Sequence, residues 1–181
     1  GADDFFQMDG ATGQVTVTTI GASQLNYERA AGSSFVFQVM ATDANGLGSE
    51  AGTSGHRTNL TIHVVDLNEA PVFSDNLYAT AISSDSNAGQ HVGPPLVATD
   101  EDAGDGLGYT IVRETLYTQT SVITRSTLCF DIGRASGQII FQDRSGLHAS
   151  DCLKGNRVHE FNIACVDSGN LRTSKKVTVT I

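Results

Sequence analysis

The sequence predicts an all-β protein built of tandem antiparallel Greek-key β-sandwiches, the first of them incomplete. Apolar and polar residues alternate over several short segments, long helical periodicity is missing, and the pattern of residues 5–43 recurs without a gap at residues 129–167. Because the two copies lie further apart than solenoid repeats do, each copy is expected to be a domain with its own core.

The internal repeat is evident from identical and similar residues at aligned positions of the two copies. Residues 11–15 (Ala-Thr-Gly-Gln-Val) align with residues 135–139 (Ala-Ser-Gly-Gln-Ile), and Phe37 aligns with Phe161. We therefore divide the chain into residues 1–71, the C-terminal part of one domain with its linker, and residues 72–181, a nearly complete second domain. The second copy is long enough for about seven strands and the first supplies about four.

Four segments carry the clearest strand pattern, with every second residue apolar: 35–39, 60–64, 161–165 and 177–181. Each is expected to turn its apolar face inward. Thr12-Gly13 and Ser136-Gly137 predict tight turns between the preceding and following short strands. With its initial strands missing, the first copy is expected to have exposed edges and half a core.

Composition excludes several functions. The formal net charge of −9 argues against binding to phosphate backbones, so no nucleic-acid partner is expected. No apolar run reaches the length of a membrane span, and residues 1–4 (Gly-Ala-Asp-Asp) carry no targeting signal. Any membrane attachment is therefore expected through regions outside this chain.

Acidic residues cluster at two places, residues 66–71 (Asp-Leu-Asn-Glu-Ala-Pro) and residues 100–102 (Asp-Glu-Asp). Clustered carboxylates repel one another, and a hard cation such as Ca²⁺, which prefers oxygen ligands, relieves that repulsion. A solvated acidic loop is the alternative. An EF-hand is excluded, because Ile111 stands where the bidentate Glu should be.

In order and spacing, these motifs resemble the cadherin repeat family over nearly the whole chain. The resemblance lies in the hairpin from Phe6 to Gly13, in residues 25–28 (Leu-Asn-Tyr-Glu), in residues 41–43 (Ala-Thr-Asp), in the linker 66–71, and in residues 98–102 (Ala-Thr-Asp-Glu-Asp). It implies sandwiches of the cadherin, immunoglobulin-like type and Ca²⁺ ions at the junction between successive repeats.

Carried over position by position, the resemblance implies a set of calcium ligands drawn from both copies. They are Glu28, Asp66, Asn68, Glu69, Asp100, Asp102, Asp167 and a backbone carbonyl near Gly106. The sequence departs from the family pattern at Asn26, where an Asp is usual, and in a linker one residue shorter than the common form. We therefore expect two or three ions. The second copy carries Cys152 in the place of Glu28, so the junction after it is expected to bind little or no Ca²⁺.

Three cysteines allow at most one internal disulfide. Aligned on a sandwich, Cys165 falls on an inward position near one end of its strand, while Cys152 falls near the other end of the domain, too far for a bridge. Cys129 is the better partner, and a Cys129–Cys152 bridge is favoured. The alternative is three reduced thiols, with Cys165 as a small buried hydrophobe.

His148, Cys152, His159 and Cys165 carry zinc-binding atoms, but their spacing matches no compact zinc site and the strand register is expected to separate them. Neither Gly-x-Ser-x-Gly nor His-Glu-x-x-His occurs, so no enzyme is predicted. Asn59-Leu60-Thr61 is a glycosylation sequon, and Asn59, next to inward-facing Leu60, is expected to point outward. An unmodified surface Asn is the alternative.

The function expected from the resemblance is a calcium-stiffened structural spacer in cell adhesion, extracellular and at the cell surface. Its partners would be adjacent cadherin repeats of the same parent chain and a homophilic or heterophilic protein partner. One alternative is an extracellular matrix or surface-filament protein built of cadherin-like repeats, in which a neighbouring subunit supplies the missing strands. A carbohydrate-binding sandwich is a weaker one, since aromatic residues make up only 7% of the chain.

Overall fold

The structure, a computed structural model, describes residues 4–29, 34–41, 57–74, 77–125, 129–142 and 152–181. The chain divides into two compact units, Gly1–Leu67 and Asn68–Ile181. They are called unit 1 and unit 2 below, and each is described by itself.

The part of unit 1 that the structure describes contains two antiparallel strand pairs and a short helix. Strands β1 (Phe6–Met8) and β2 (Val15–Val17) form a hairpin, helix α1 (Thr19–Gln24) follows, and β3 (Ser34–Met40) pairs with β4 (Arg57–His63). The helix begins where Oγ1 of Thr18 accepts a hydrogen bond from the N–H of Gly21 at 3.0 Å.

The tight turn predicted at Thr12-Gly13 closes the β1–β2 hairpin. Asp9 Oδ1 accepts hydrogen bonds from the N–H groups of Ala11 and Thr12, at 2.8 and 2.9 Å, and Gly13 has φ +72°, a conformation that favours glycine. The corresponding Gly137 of unit 2 has φ +65°. A Cβ there would lie 2.3 Å from the carbonyl oxygen of Leu96, so lack of space also requires glycine.

The described residues of unit 2 form ten strands in three sheets. They are β5 (Val72–Phe73), β6 (Tyr78–Ala81), β7 (His91–Val92), β8 (Ala98–Thr99), β9 (Gly108–Tyr117), β10 (Val122–Arg125), β11 (Phe130–Ile132), β12 (Ile139–Phe141), β13 (Val158–Val166) and β14 (Arg172–Thr180). The largest sheet has the order β10-β9-β13-β14-β6, in which β14 and β6 are parallel. The others have the orders β11-β12-β7 and β5-β8. This is more than the seven strands expected, because several strands are only two residues long.

The core of unit 2 consists of the inward residues of its sheets. Phe161, Ile163 and Cys165 on β13 and Val177 and Val179 on β14 are at most 1% exposed, as their alternation predicted. The ring of Phe130 packs against that of Phe141 in its own sheet and against that of Phe161 in the large sheet. Burial of aromatic and branched side chains at these positions supplies the hydrophobic driving force for folding.

The two copies share one strand register. Phe37 lies opposite Leu60 in the β3–β4 pair, and their aligned counterparts Phe161 and Val177 lie opposite each other in the β13–β14 pair. In unit 1 the inward residues are only half-buried, and Gly21 is the one fully buried residue that the structure describes there. The nearly all-β fold predicted from the sequence is confirmed. No helix of the described residues is long and apolar enough to cross a membrane.

Strand β9 contains an irregularity that the sequence pattern did not reveal. Asn162 of β13 lies opposite Arg113, but the next residue, Ile163, lies opposite Ile111, so Val112 is an extra residue on β9. Such a β-bulge shifts the inward phase of a strand by one position. Inward residues on β9 are therefore Tyr109 and Ile111 before the bulge, and Glu114 and Leu116 after it.

Candidate functional site

The candidate site in unit 2 begins at the loop after β8. Asp100 Oδ1 accepts a hydrogen bond from the N–H of Asp102 at 3.1 Å, and the N–H of Asp105 donates to the carbonyl oxygen of Asp102 at 3.3 Å. Between them Gly104 has φ +96°, which allows the chain to reverse. The loop therefore brings the side chain of Asp105 back toward that of Asp100.

A second loop follows β13 and presents Asp167. Its N–H donates to the carbonyl oxygen of Leu171, and its Oδ1 accepts from the N–H of Leu171 at 2.7 Å. Asn170 has φ +69° and completes this turn. Asp167 is only 7% exposed, so the turn holds a carboxylate inside the protein.

Asp100, Asp105 and Asp167 converge. Each offers a carboxylate oxygen, and these oxygens all lie within 4.8 Å of one another. Oδ2 of Asp100 and Oδ2 of Asp105 are buried without a hydrogen-bond partner, and within the described ranges no Lys or Arg forms an ion pair with the three. Like charges at this separation repel by roughly 3 kcal/mol per pair at an effective dielectric constant of about 20. Carboxylate oxygens are ligands that a hard cation such as Ca²⁺ prefers, so the cluster is a candidate metal site.

One linker residue contacts this cluster, and a second contacts Asp102 in the loop after β8. Asn68 donates from Nδ2 to Oδ2 of Asp167 at 2.9 Å, and the backbone N–H of Glu69 donates to Oδ2 of Asp102 at 3.0 Å. Gly169 fits closely against Asn68, since a Cβ on Gly169 would lie 2.4 Å from Oδ1 of Asn68. The structure thus brings together five of the residues that the sequence predicted as ligands: Asn68, Glu69, Asp100, Asp102 and Asp167.

Glu28 and Asp66, the predicted ligands in unit 1, are exposed and offer carboxylate oxygens within 4.8 Å of each other. In unit 2, Gly106 lines the same cleft as Asp167 and Ser168. Asp105 was missed by the sequence comparison, which placed a backbone carbonyl near this position. Its position in the cluster depends on the chain reversal at Gly104, which no residue spacing reveals.

The cysteines lie away from this cluster. Cys129 and Cys152 form a disulfide with their Cα atoms 5.9 Å apart, the pairing favoured in the sequence. Cys165 is a free, buried cysteine, and burial raises the pKa of its thiol. Its protonated thiol packs as a small apolar group.

The four residues with zinc-binding atoms, His148, Cys152, His159 and Cys165, do not all lie together. His148 lies outside the described residues, and Cys165 lies six residues beyond His159 on β13. Contrary to the expectation that the strand register separates them, His159 and Cys152 are neighbours, and Nε2 of His159 lies 3.1 Å from the carbonyl oxygen of Cys152. The expectation was wrong because Cys152 lies in the segment just before β13, which passes beside the first residues of that strand.

Asn59 lies on β4 opposite Gln38, and its side chain is exposed. The outward orientation expected for the sequon is therefore present in unit 1. A glycan on this residue stays a prediction.

A scan against models of protein families found no match. The chain is 27% identical over 179 residues to protein dachsous of Drosophila melanogaster, a match that covers 96% of the chain. It spans only 4% of the length of that relative.

Solved structures with similar folds include several cadherins. The crystal structure of Drosophila N-cadherin EC1-4 matches with a TM-score of 0.68 and 16% identity, over 98% of this chain and 39% of that one. Mouse cadherin-23 EC22-24 matches with a TM-score of 0.55 and 18% identity, over 98% and 49%. Extracellular cadherin domains 1-4 of protocadherin gamma B7 match with a TM-score of 0.55 and 19% identity, over 97% and 37%. These matches confirm the cadherin-repeat fold that the sequence predicted.

Proposed function

The chain folds as cadherin repeats, and from this premise we propose that residues 1–181 are a calcium-binding segment of an extracellular protein, acting as a structural spacer in cell adhesion. The division proposed is that of the sequence, with residues 1–71 ending in the linker and residues 72–181 as the second repeat. The proposed partners are adjacent cadherin repeats of the same parent chain and a homophilic or heterophilic protein partner of that parent chain.

The convergence of Asp100, Asp105 and Asp167 carries this proposal. Two of their buried oxygens accept no hydrogen bond, so the protein alone leaves negative charge uncompensated in a partly desolvated place. A divalent cation supplies that compensation when bound. The oxygen-only donor set favours Ca²⁺ over zinc or copper.

The proposed ligands are those that the family resemblance implies, together with Asp105. They are Glu28, Asp66, Asn68, Glu69, Asp100, Asp102, Asp105, Asp167 and the carbonyl of Gly106. Asn68 and Glu69 belong to the linker, so ligation there would add to the hydrogen bonds that they make with Asp167 and Asp102. In the family resemblance, ligands from successive repeats share ions, and this sharing is how calcium would stiffen the chain.

Calcium titration of residues 1–181 by calorimetry, with small-angle scattering in parallel, tests the proposal. Wild type is expected to bind two or three ions and to become less flexible. Asp100→Asn and Asp167→Asn keep the size of each side chain but remove its charge, and they are expected to lose at least one ion. Glu101→Gln is the matched control, because Glu101 is an exposed acid in the same loop and lies outside the cluster.

Two results would contradict the proposal. One is the absence of binding by wild type. The other is a loss of calcium binding in Glu101→Gln equal to that in Asp100→Asn and Asp167→Asn, which would mean that net charge alone determines binding. Binding without stiffening would retain the metal site and remove the spacer role.

We also propose N-glycosylation at Asn59, supported by its exposed position on β4. Expression in a secretory eukaryotic host, followed by enzymatic removal of N-glycans, is expected to lower the mass of wild type and leave Thr61→Ala unchanged. Thr61→Ala retains Asn59 but destroys the sequon. An unmodified wild-type chain would overturn this assignment.

A further inference from the structure

A second group of metal-ligating side chains lies in the core of unit 2, apart from the carboxylate cluster. Glu114 on β9 and His159 on β13 are both 0% exposed, and Nδ1 of His159 lies 2.8 Å from Oε1 of Glu114. The bulge at Val112 is the reason that Glu114 points inward. A buried carboxylate and imidazole are costly to desolvate, so their pairing requires a compensating network.

Hydrogen bonds to the backbones of the two disulfide cysteines form that network. Both carboxylate oxygens of Glu114 accept from the N–H of Cys129, at 3.2 and 3.1 Å, and Nε2 of His159 faces the carbonyl oxygen of Cys152 at 3.1 Å. The rings of Phe130 and Phe161 flank His159, with centroids 4.8 and 6.3 Å away. The carboxylate of Glu114, the imidazole of His159 and the disulfide therefore share one buried site in the core, lined by aromatic rings.

The ligand atoms are close enough to share an ion. A carboxylate oxygen of Glu114, Sγ of Cys129 and a ring nitrogen of His159 all lie within 4.8 Å of one another. The sulfur of Cys152 is bonded to that of Cys129, so it lies at the same buried site. Ligands around tetrahedral zinc bind at about 2.0–2.3 Å, so shifts of the order of 1 Å would bring the set to bonding distance.

We propose that reduction of the Cys129–Cys152 disulfide converts this place into a binding site for a thiophilic divalent cation such as Zn²⁺, with Cys129, Cys152, His159 and Glu114 as ligands. In the oxidised protein the two sulfurs are bonded to each other and no thiolate is available. The site is thus closed to metal until the disulfide opens. Its sulfur and nitrogen donors distinguish it from the oxygen-only cluster that is proposed to bind Ca²⁺.

The chemistry requires a two-electron reductant, which is a phosphine or a dithiol. With a phosphine, the S–S bond breaks, the phosphorus takes an oxygen atom from water to give a phosphine oxide, and the two protons of that water appear on the two cysteines. Zn²⁺ then displaces the thiol protons to solvent as two S–Zn bonds form. The His159 nitrogen that faces the ion binds as a lone-pair donor, and Glu114 supplies a carboxylate oxygen.

Cobalt titration of the full chain tests the proposal, because Co²⁺ bound by thiolates absorbs in the near ultraviolet and visible while Co²⁺ bound by oxygen alone lacks the thiolate bands. The titration is run with saturating Ca²⁺ on the oxidised protein and on protein reduced with a phosphine. We expect one Co²⁺ per reduced chain with thiolate bands, no such bands in the oxidised chain, and displacement of cobalt by Zn²⁺.

Variants assign the ligands. Cys165→Ser is expected to keep the bands and Cys129→Ser to lose them, which separates the proposed site from the third thiol. Glu114→Gln and His159→Gln are expected to weaken binding at least tenfold and to change the visible spectrum. Should these buried substitutions prevent folding, alkylation of the reduced wild type decides instead, with Zn²⁺ protecting Cys129 and Cys152 from modification.

Three outcomes overturn the proposal. They are a reduced, folded chain without thiolate bands, bands that depend on Cys165, and a chain that unfolds on reduction and does not refold when cobalt or zinc is added. Circular dichroism recorded on the same samples reports which of these applies.

Discussion

Asn68 donates a hydrogen bond from Nδ2 to Oδ2 of Asp167 at 2.9 Å, which joins the linker to the loop that follows β13. The acceptor is a buried carboxylate, so Asn68→Ala leaves one oxygen of Asp167 without this donor. In calcium-free buffer we expect a loss of about 1.5–3 kcal/mol in the free energy of unfolding, the usual range for a hydrogen bond to a charged group. Urea denaturation measures it.

Asn162→Ala is the control for that substitution. Asn162 has an exposed side chain on β13, where the same truncation is expected to change the stability by no more than about 0.5 kcal/mol. Equal effects of the two substitutions would show that the contact of Asn68 with Asp167 contributes nothing specific.

Asp105 is predicted to be a calcium ligand. Asp105→Asn removes one of three converging charges and leaves the side-chain size unchanged. The attraction between a carboxylate and a cation near a protein surface is a few kcal/mol, so we expect calcium affinity to fall by roughly tenfold or more. Calorimetric titration measures the change. Asp85→Asn is the same substitution at an exposed turn residue whose carboxylate pairs with the hydroxyl of Ser83. It should leave the affinity unchanged, and an equal reduction in both variants would contradict the assignment.

The main strands of the repeat and their inward faces could be predicted from the sequence because side chains alternate across a strand with period two. Phe161 and Val177 are buried where the alternation places them, and the internal repeat relates this pair to Phe37 and Leu60. The turns at Gly13 and Gly137 could be predicted as well, since they depend on local residue preferences.

The residues that were missed depend on backbone geometry that the sequence does not encode locally. Asp105 reaches Asp100 because Gly104 adopts φ +96°, and Glu114 faces the core because an extra residue, Val112, shifts the phase of β9. A strict alternation through β9 would place Glu114 on the solvent side and Arg113 inside. A polar residue at an apparent outward position gives no signal that a bulge has turned it inward.

The Cys129–Cys152 disulfide is predicted to stabilise unit 2 by about 3 kcal/mol. The two residues are 23 positions apart, and closing a loop of that length removes conformational entropy from the unfolded chain. The double variant Cys129→Ala/Cys152→Ala is therefore expected to unfold at a lower urea concentration. Cys165→Ala, which truncates the free buried cysteine, should cost about 1 kcal/mol from lost packing alone. A double variant no less stable than Cys165→Ala would contradict the prediction.

A surface network on the large sheet predicts a dependence of stability on acid pH. Nζ of Lys176 lies 2.7 Å from Oε1 of Glu160, and the hydroxyl of Tyr117 donates to Oε2 of Glu160 at 2.9 Å. The hydrogen bond from Lys176, together with that from Tyr117, holds the pKa of Glu160 below its usual value. The folded state therefore favours the carboxylate form.

The sign follows from this lowered pKa. The contribution of Glu160 is fully present above the unfolded pKa of about 4.3 and is lost as pH falls through the lower pKa of the folded state. Because the Lys176 side chain is 64% exposed, solvent screens the pair, and we expect the contribution to be below about 1 kcal/mol. Urea denaturation at about pH 6 and about pH 3 should show a smaller acid loss of stability in Glu160→Gln than in wild type. Glu101→Gln removes an exposed carboxylate in the loop after β8 and should retain the wild-type acid loss. An unchanged acid loss in Glu160→Gln would mean that this network does not contribute to the pH dependence.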